Sequence, residues 1–260
     1  MSIAIIGHGI VGQATHEAFP DVEVIVVDPA KNKNTTCNIM DANPECVFIC
    51  VPTPNCDDEY FRQHLSDFMS AAYEGLICIR STVNPLVLRK LEEETKSRAY
   101  NICHVPEFLT ERFWQDDPTR LVFGGNQAAQ AKFNKLTANS HWRCIPTTYC
   151  SIEAAGLMKI TTNSFFATKV IFMNHMRLLC EAIGIDWDEF IAVLKTDERV
   201  GSEHCDAPGH DGRYGYGGKC FPKDIKALNK LMIDHDVPNL LSQVRGCNIA
   251  VRNQTVNESA

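Results

Sequence analysis

The chain has 260 residues, 45% of them hydrophobic and 22% charged, with a formal net charge of -7. That length holds one large domain or two modest ones, and the composition is that of an ordinary globular protein. The acidic balance excludes a general nucleic-acid binder, and no apolar run reaches bilayer-spanning length, so neither nucleic acid nor membrane is an expected partner. With no basic leader ahead of Met1, the sequence reads as cytoplasmic.

Ser2 to Ile6 is a short apolar run that stops at glycine and predicts a strand. Gly7, Gly9 and Gly12 follow in GxGxxG spacing, and a helical pattern opens through Val11, Ala14, Thr15 and Ala18 before Pro20 ends it. A second run, Val22 to Val27, ends in Asp28. A glycine fingerprint between a strand and a helix, with an acid after the next strand, is the dinucleotide-binding βαβ unit. Gly7 would permit the tight turn, Gly9 the approach of a pyrophosphate and Gly12 close helix–strand packing. The pyrophosphate would sit on the helix N-terminus beside Ile10 and Val11. Asp28 would accept from ribose hydroxyls and repel a 2′-phosphate, which selects NAD over NADP. The plainer reading of the same residues is a glycine turn without a ligand.

Further strands are predicted over Cys46 to Val51, Leu76 to Ile79, Tyr100 to Val105 and Leu121 to Phe123. Helical patterns lie between them at His64 to Tyr73, Pro85 to Ser97 and Gln127 to Ala138. This alternation predicts a Rossmann-like, doubly wound parallel sheet with helices on both faces. Ligands bind at the carboxyl ends of such strands. Val51, Pro52, Thr53, Ser81, Thr82 and Glu107 stand at those ends, facing a cofactor or substrate. The Ser and Thr hydroxyls would equally serve as caps of the next helix.

The character changes near residue 150, which sets the expected boundary: a nucleotide-binding domain over 1–150 and a small all-helical domain over 151–260. Ser151 to Ile183 is one helical pattern without an internal proline, about 50 Å long. Its apolar positions wrap widely around it, so it is expected to link two domains and pack against a second subunit. Lys159 and Asn163 lie four apart on one of its faces, in the manner of a ligand pocket or an exposed polar stripe. A helix follows over Asp186 to Lys195, then a loop rich in Gly, Asp and His, a helix from Phe221 to the break at Pro238, and a last helix over Asn239 to Asn253.

The chain has 12 cysteines and no CxxC pair. Neither a disulfide scaffold nor a zinc knuckle is expected, and Cys50, Cys78 and Cys180 sit in apolar runs as small core residues. His204, His210 and Asp211 in the loop follow no metal-ligand spacing, and no metal site is expected. Cys220 differs. It stands in the run from Gly215 to Asp224, GYGGKCFPKD in one-letter code, with glycines on one side and Lys219, Lys223 and Asp224 around it. Nearby positive charge favours a thiolate, and glycine admits close approach of a ligand, so this run reads as a catalytic nucleophile.

Together these segments resemble the UDP-glucose/GDP-mannose dehydrogenase family. The resemblance runs in order through Gly7 to Gly12, Val51 to Pro54, Ser81 to Val83, Pro106 to Glu111, Pro118 to Arg120, Lys159 with Asn163, Asp197 to Gly201 and Gly215 to Asp224. It implies oxidation of the C6 alcohol of a nucleotide sugar to a carboxylate, UDP-glucose to UDP-glucuronate, by two hydride transfers to NAD. Cys220 would hold the carbon as a thiohemiacetal and then a thioester. The resemblance gives Lys159 and Asn163 the oxyanion, Asp224 and Glu107 the base roles, Thr82 the positioning of water, and Glu111 a place near the nicotinamide. It lines the substrate site with Phe108, Leu109, Tyr214, Gly215, Tyr216 and Gly217, and lets Arg199 reach the substrate of a neighbouring subunit in a homodimer.

Two departures stand out. Family members usually continue into a UDP-binding C-terminal domain, which these residues stop short of. The stretch from Ser202 to Arg213 is longer than the usual link. A non-catalytic NAD-binding dimer, a dehydrogenase for GDP-mannose or a UDP-N-acetyl sugar, and a short 3-hydroxyacid-type dehydrogenase are the alternatives.

Overall fold

The computed structural model describes residues 1–28, 39, 41–54, 56, 62, 65, 73–96, 100–109, 115 and 118–253. The chain divides into two compact units, Met1–Lys159 and Ile160–Ala260.

The first unit is built on a seven-stranded sheet in the order β2-β1-β3-β4-β5-β6-β7. The strands are β1 (Ser2–Ile6), β2 (Glu23–Val27), β3 (Cys46–Ile49), β4 (Leu76–Ile79), β5 (Asn101–His104), β6 (Leu121–Gly125) and β7 (Thr147–Cys150). Helices α1 (Ile10–Glu17), α2 (Pro85–Lys96) and α3 (Gln127–Thr137) accompany them. Strands β1 to β5 pair in parallel. Alternate residues of these strands fill two cores. Ala4, Ile6, Val47, Ile49, Ile77 and Ile79 face one way with Leu88 and Leu91 of α2. Ile3, Ile5, Phe48, Cys78, Cys103 and Phe123 face the other with Phe133 and Trp142. Strands covered on both faces read as unbroken apolar runs, which is why they were visible in the sequence.

Three expectations change. β6 runs antiparallel to β5, with Gly125 opposite Cys103 and Gly124 opposite His104. β7, absent from the sequence reading, pairs in parallel with β6 and follows α3, so β6-α3-β7 is itself a crossover unit. Its sequence (Thr147, Thr148, Tyr149, Cys150) is half exposed at the sheet edge and lacks the apolar signal of a central strand. Asn84, rather than Ser81, provides the side-chain acceptor at the start of α2: its Oδ1 accepts from the Leu86 N–H at 2.9 Å. The helix expected over His64 to Tyr73 lies almost wholly outside the described residues.

A helix of 32 residues, α4 (Ile152–Ile183), begins in the first unit and continues in the second. There it is joined by α5 (Trp187–Leu194), α6 (Phe221–Asp234) and α7 (Leu241–Arg252). Asp186 caps α5 by accepting from the Glu189 N–H at 2.8 Å, and Asn239 accepts from the Leu241 N–H at 2.7 Å where α7 starts. The core of this unit contains Ala167, Ile171, Cys180, Trp187, Tyr214, Tyr216, Ile225, Leu241, Val244 and Val251. Among the described residues no helix is long and apolar enough to cross a membrane.

The β1–α1 turn brings backbone very close to backbone. A Cβ on Gly12 would stand 2.1 Å from the Gly7 carbonyl oxygen, whereas one on Gly9 would meet nothing within 4 Å among the described residues. Gly12→Ala is therefore expected to cost about 3 kcal/mol and lower the thermal midpoint by about 5–10 °C. Gly9→Ala should leave the midpoint unchanged. Thermal denaturation of the two variants against wild type checks both.

Candidate active site

The first unit supplies the expected cofactor positions. Gly7 adopts φ +86°, and a side chain there would collide with the Cys50 carbonyl, so this position must be glycine. Gly9 forms the N-cap of α1 with no side-chain hydrogen bond, which leaves the first turn, Ile10 and Val11, to be satisfied from outside the helix. The space beside Gly9 is open to such an acceptor. Asp28 is buried, and its Oδ2 accepts from the His8 N–H at 2.8 Å, tying the end of β2 to the glycine turn. An uncapped helix start, an open glycine and an acid at the next strand end fit a dinucleotide.

The other strand ends are hydrogen-bonded to one another. The Thr53 hydroxyl donates to the Thr82 carbonyl at 2.6 Å. The Ser81 hydroxyl donates to the Val51 carbonyl at 2.7 Å. Val51, Thr53 and Ser81 are buried and Pro52 is exposed. Glu111 lies outside the described residues.

Beyond β5, Glu107 meets Lys159 of α4 with Oε2 and Nζ 3.1 Å apart, the two side chains being 11% and 4% exposed. The Lys159 ammonium also lies 5.4 Å from the centre of the Phe108 ring, and the Arg120 guanidinium lies 4.8 Å from it. This deeply placed lysine has a carboxylate and an aromatic ring beside it. Leu109 lines a cleft of about 490 Å³ with Arg80, Trp142 and residues of α1.

The second unit carries the cysteine. Cys220 is the N-cap residue of α6 and is exposed. Pro222 stands in the first turn of the helix, where its missing N–H costs nothing. Asp224, one turn in, is fully buried. Its Oδ2 accepts from the Asn163 side-chain amide at 2.6 Å and its Oδ1 from the Lys223 ammonium at 2.7 Å. Ahead of Cys220, Gly215 and Gly218 both adopt φ +74°. The Tyr214 and Tyr216 rings are core residues, so the turn offers mainly backbone around Gly217. Arg199 is exposed and grips Asp197 through two hydrogen bonds, 2.9 and 2.6 Å. His204 packs its ring 4.3 Å from Phe166 and 5.4 Å from Phe221, and Asp211 pairs with Arg252.

The core thiols contrast with Cys220. Cys46, Cys78 and Cys103 are buried on adjacent strands, and burial pushes the Cys50 thiol up to about 12 despite the nearby Arg80 charge. The Cys50 thiol is thereby kept protonated and inert.

Residues 153–250 match the sequence model of the UDP-glucose/GDP-mannose dehydrogenase family, central domain. The matched stretch contains Lys159, Asn163, Cys220 and Asp224. It is 33% identical over 207 residues to a UDP-glucose 6-dehydrogenase of Rickettsia conorii, a match covering 75% of this chain and 46% of the relative. The chain thus spans about half the length of the curated relatives it matches. Its fold is that of a UDP-glucose dehydrogenase from Pyrobaculum islandicum, with a TM-score of 0.78 and 21% identity, covering 96% of this chain and 68% of that one. A 3-hydroxyisobutyrate dehydrogenase of Mycobacterium tuberculosis also has a TM-score of 0.78, at 16% identity, covering 94% and 91%.

Several residues that shape these places were not singled out from the sequence. The Lys169 ammonium donates to the Val200, Gly201 and Glu203 carbonyls, and Asn174 Oδ1 accepts from the Gly215 N–H at 2.8 Å. The signal was present: a lysine and an amide inside the most apolar stretch of a long helix. His104, at the end of β5, is fully buried. Its Nδ1 lies 3.0 Å from the Ile79 carbonyl, and its Nε2 has no hydrogen-bond partner among the described residues.

Burial pushes His104 down to about 3; the Ile79 hydrogen bond opposes this, and the Arg80 and Lys159 charges add to it. An unfolded histidine titrates near 6.5. Between these values only the unfolded chain binds the proton, so stability is full above about 6.5 and is lost as pH falls toward 3. The expected slope from this group is up to about 1.4 kcal/mol per pH unit. Urea denaturation between pH 6.5 and 5 should show it in wild type, and His104→Asn should remove that part of the slope.

Proposed function

We propose that the chain acts as an NAD-dependent nucleotide-sugar 6-dehydrogenase, converting UDP-glucose to UDP-glucuronate in two oxidations. The observation that carries this reading is Cys220: an exposed thiol at the cap of α6, after a glycine turn and one turn from the buried Asp224. The curated relatives, UDP-glucose 6-dehydrogenases by name, support the substrate class.

Gly9, Ile10 and Val11 at the start of α1, with Asp28, Val51, Pro52, Thr53 and Ser81 at the strand ends, would hold NAD. Bound NAD would supply the hydride acceptor for each oxidation. Once the alcohol has become an aldehyde, the Cys220 thiolate adds to its carbon. A C–S bond forms, and the carbonyl electron pair moves to oxygen. The Lys159 ammonium and the Asn163 amide stabilise that oxygen. The second oxidation turns the thiohemiacetal into a thioester. Water, positioned by Thr82 and deprotonated by Glu107 or Asp224, adds to the carbonyl; the C–S bond breaks and the thiolate leaves. Phe108, Leu109 and the backbone of Tyr214, Gly215, Tyr216 and Gly217 line the sugar, and Arg199 reaches toward a neighbouring copy. Covalent capture keeps the aldehyde from escaping between the two oxidations.

The same reading makes the chain a homodimer. Phe165, Phe172, Leu179 and Ile183 recur at helical spacing on α4 and are 64%, 54%, 48% and 60% exposed. A contiguous apolar face of this kind is covered in assembled proteins. Sedimentation velocity is expected to give a dimer that Phe172→Asp converts to monomer; a wild-type monomer at micromolar concentration would refute this part.

For the reaction, purified protein supplied with UDP-glucose and NAD should yield two NADH per sugar acid. Cys220→Ser should abolish release of the acid. Absence of NADH with every nucleotide sugar tried sinks the proposal; NADH only with another sugar reassigns the substrate.

A further inference from the structure

We propose that Arg252, the last residue of α7, is a positioning residue for Cys220 and acts through the glycine turn. The inference rests on the reading of Cys220 as the nucleophile.

The turn from Tyr214 to Gly218 is held from two helices. From α4, the Asn174 side chain accepts from the Gly215 N–H at 2.8 Å. From α7, the Asn248 side chain accepts from the Tyr216 N–H at 2.8 Å. One helical turn on, Arg252 Nη1 donates to the Tyr214 and Gly215 carbonyls at 3.3 and 3.4 Å. Its Nη2 donates to Asp211 at 2.9 Å, and its own carbonyl accepts from the Arg213 guanidinium at 3.1 Å. The guanidinium therefore joins the 209–213 turn to the glycine turn. The side chain is 19% exposed.

The packing leaves no slack. A Cβ on Gly217 would stand 2.7 Å from Arg252 Nη2, and one on Gly215 would stand 2.5 Å from Asn248 Oδ1. Gly215, at φ +74°, must be glycine, and a side chain at Gly217 would displace the Arg252 guanidinium. Only Gly218 and Lys219 separate Gly217 from Cys220. On the other side of Cys220, α6 is anchored by the buried Ile225 and Asp224. The backbone of the cap residue is thus held from both directions at the start of α6, the end of a helix whose dipole favours a thiolate. Arginine suits this role because its planar fork serves two carbonyls and a carboxylate at once, which lysine cannot do.

The test is Arg252→Gln in the full chain, read by peptide-resolved iodoacetamide alkylation across pH. Exposed Cys144 serves as an internal reference. A frayed cap should raise the apparent Cys220 pKa by about half a unit and slow its alkylation about threefold near pH 7. The difference should vanish above about pH 9.5, where the thiol is ionised in both proteins. Cys144 should be unchanged, and Arg252→Lys, which keeps the Asp211 contact alone, should fall between. An unaltered Cys220 profile, or parallel acceleration of Cys220 and Cys144 through general loosening, overturns the proposal. The readout needs no substrate. A shifted profile in a protein that makes no NADH leaves the positioning role standing and removes the dehydrogenase reading. Turnover with an unshifted profile does the reverse.

Discussion

The constraint from which the rest of the site follows is the cost of taking charge out of water. An isolated ionised side chain cannot be buried without several kcal/mol of penalty, so each buried charge dictates what stands beside it. Asp224 is the clearest case. It sits in the first turn of α6, where the helix dipole favours a carboxylate, and both of its oxygens have partners. One partner, Asn163, comes from α4, so the carboxylate ties α6 to α4 at the turn that follows Cys220. The thiol is exposed, but the helix it caps is not free to shift.

Lys159 and Glu107 obey the same rule within the first unit. The lysine is nearly sealed from solvent, with a carboxylate 3.1 Å away and the Phe108 ring beside it. Removing either partner strands the other, which typically costs about 3–5 kcal/mol, more than the pair contributes when intact. Such a pair is expensive as architecture. It makes sense where a charge is wanted at a fixed point, as beside a developing oxyanion. His104 marks the opposite solution: too deeply buried to be charged, it stays neutral under the fields of Arg80 and Lys159.

Much of this was legible in the sequence because it rests on short-range rules. The central strands announced themselves as apolar runs, and the long helix as a stretch without proline. Asp186 and Asn239 stood where helix starts need acceptors. The misses share a cause: they depend on partners distant in sequence. β7 is an edge strand whose only strong signal is its pairing with β6. The reversal of β6 is a matter of sheet register, which composition does not encode. Asn174 and Arg252 look like ordinary helix residues until the glycine turn, about 40 residues away in either direction, is brought to them.

The two glycine-rich segments make the same point about what a motif is for. In the first, Gly7 and Gly12 are required by the protein itself, since a side chain at either would strike backbone carbonyl, whereas Gly9 faces open space among the described residues. In the second, Gly215 and Gly217 lie against Asn248 and Arg252 of α7, whereas a Cβ on Gly218, at φ +74°, would meet nothing within 4 Å among the described residues. Each run divides into glycines that let the chain pack on itself and one that leaves room. A ligand can use only the second kind. The fingerprint spacing that a sequence displays is therefore mostly a packing requirement, and the open glycine is where that packing presents backbone to a visitor: beside the start of α1 in one unit, and two residues before Cys220 in the other.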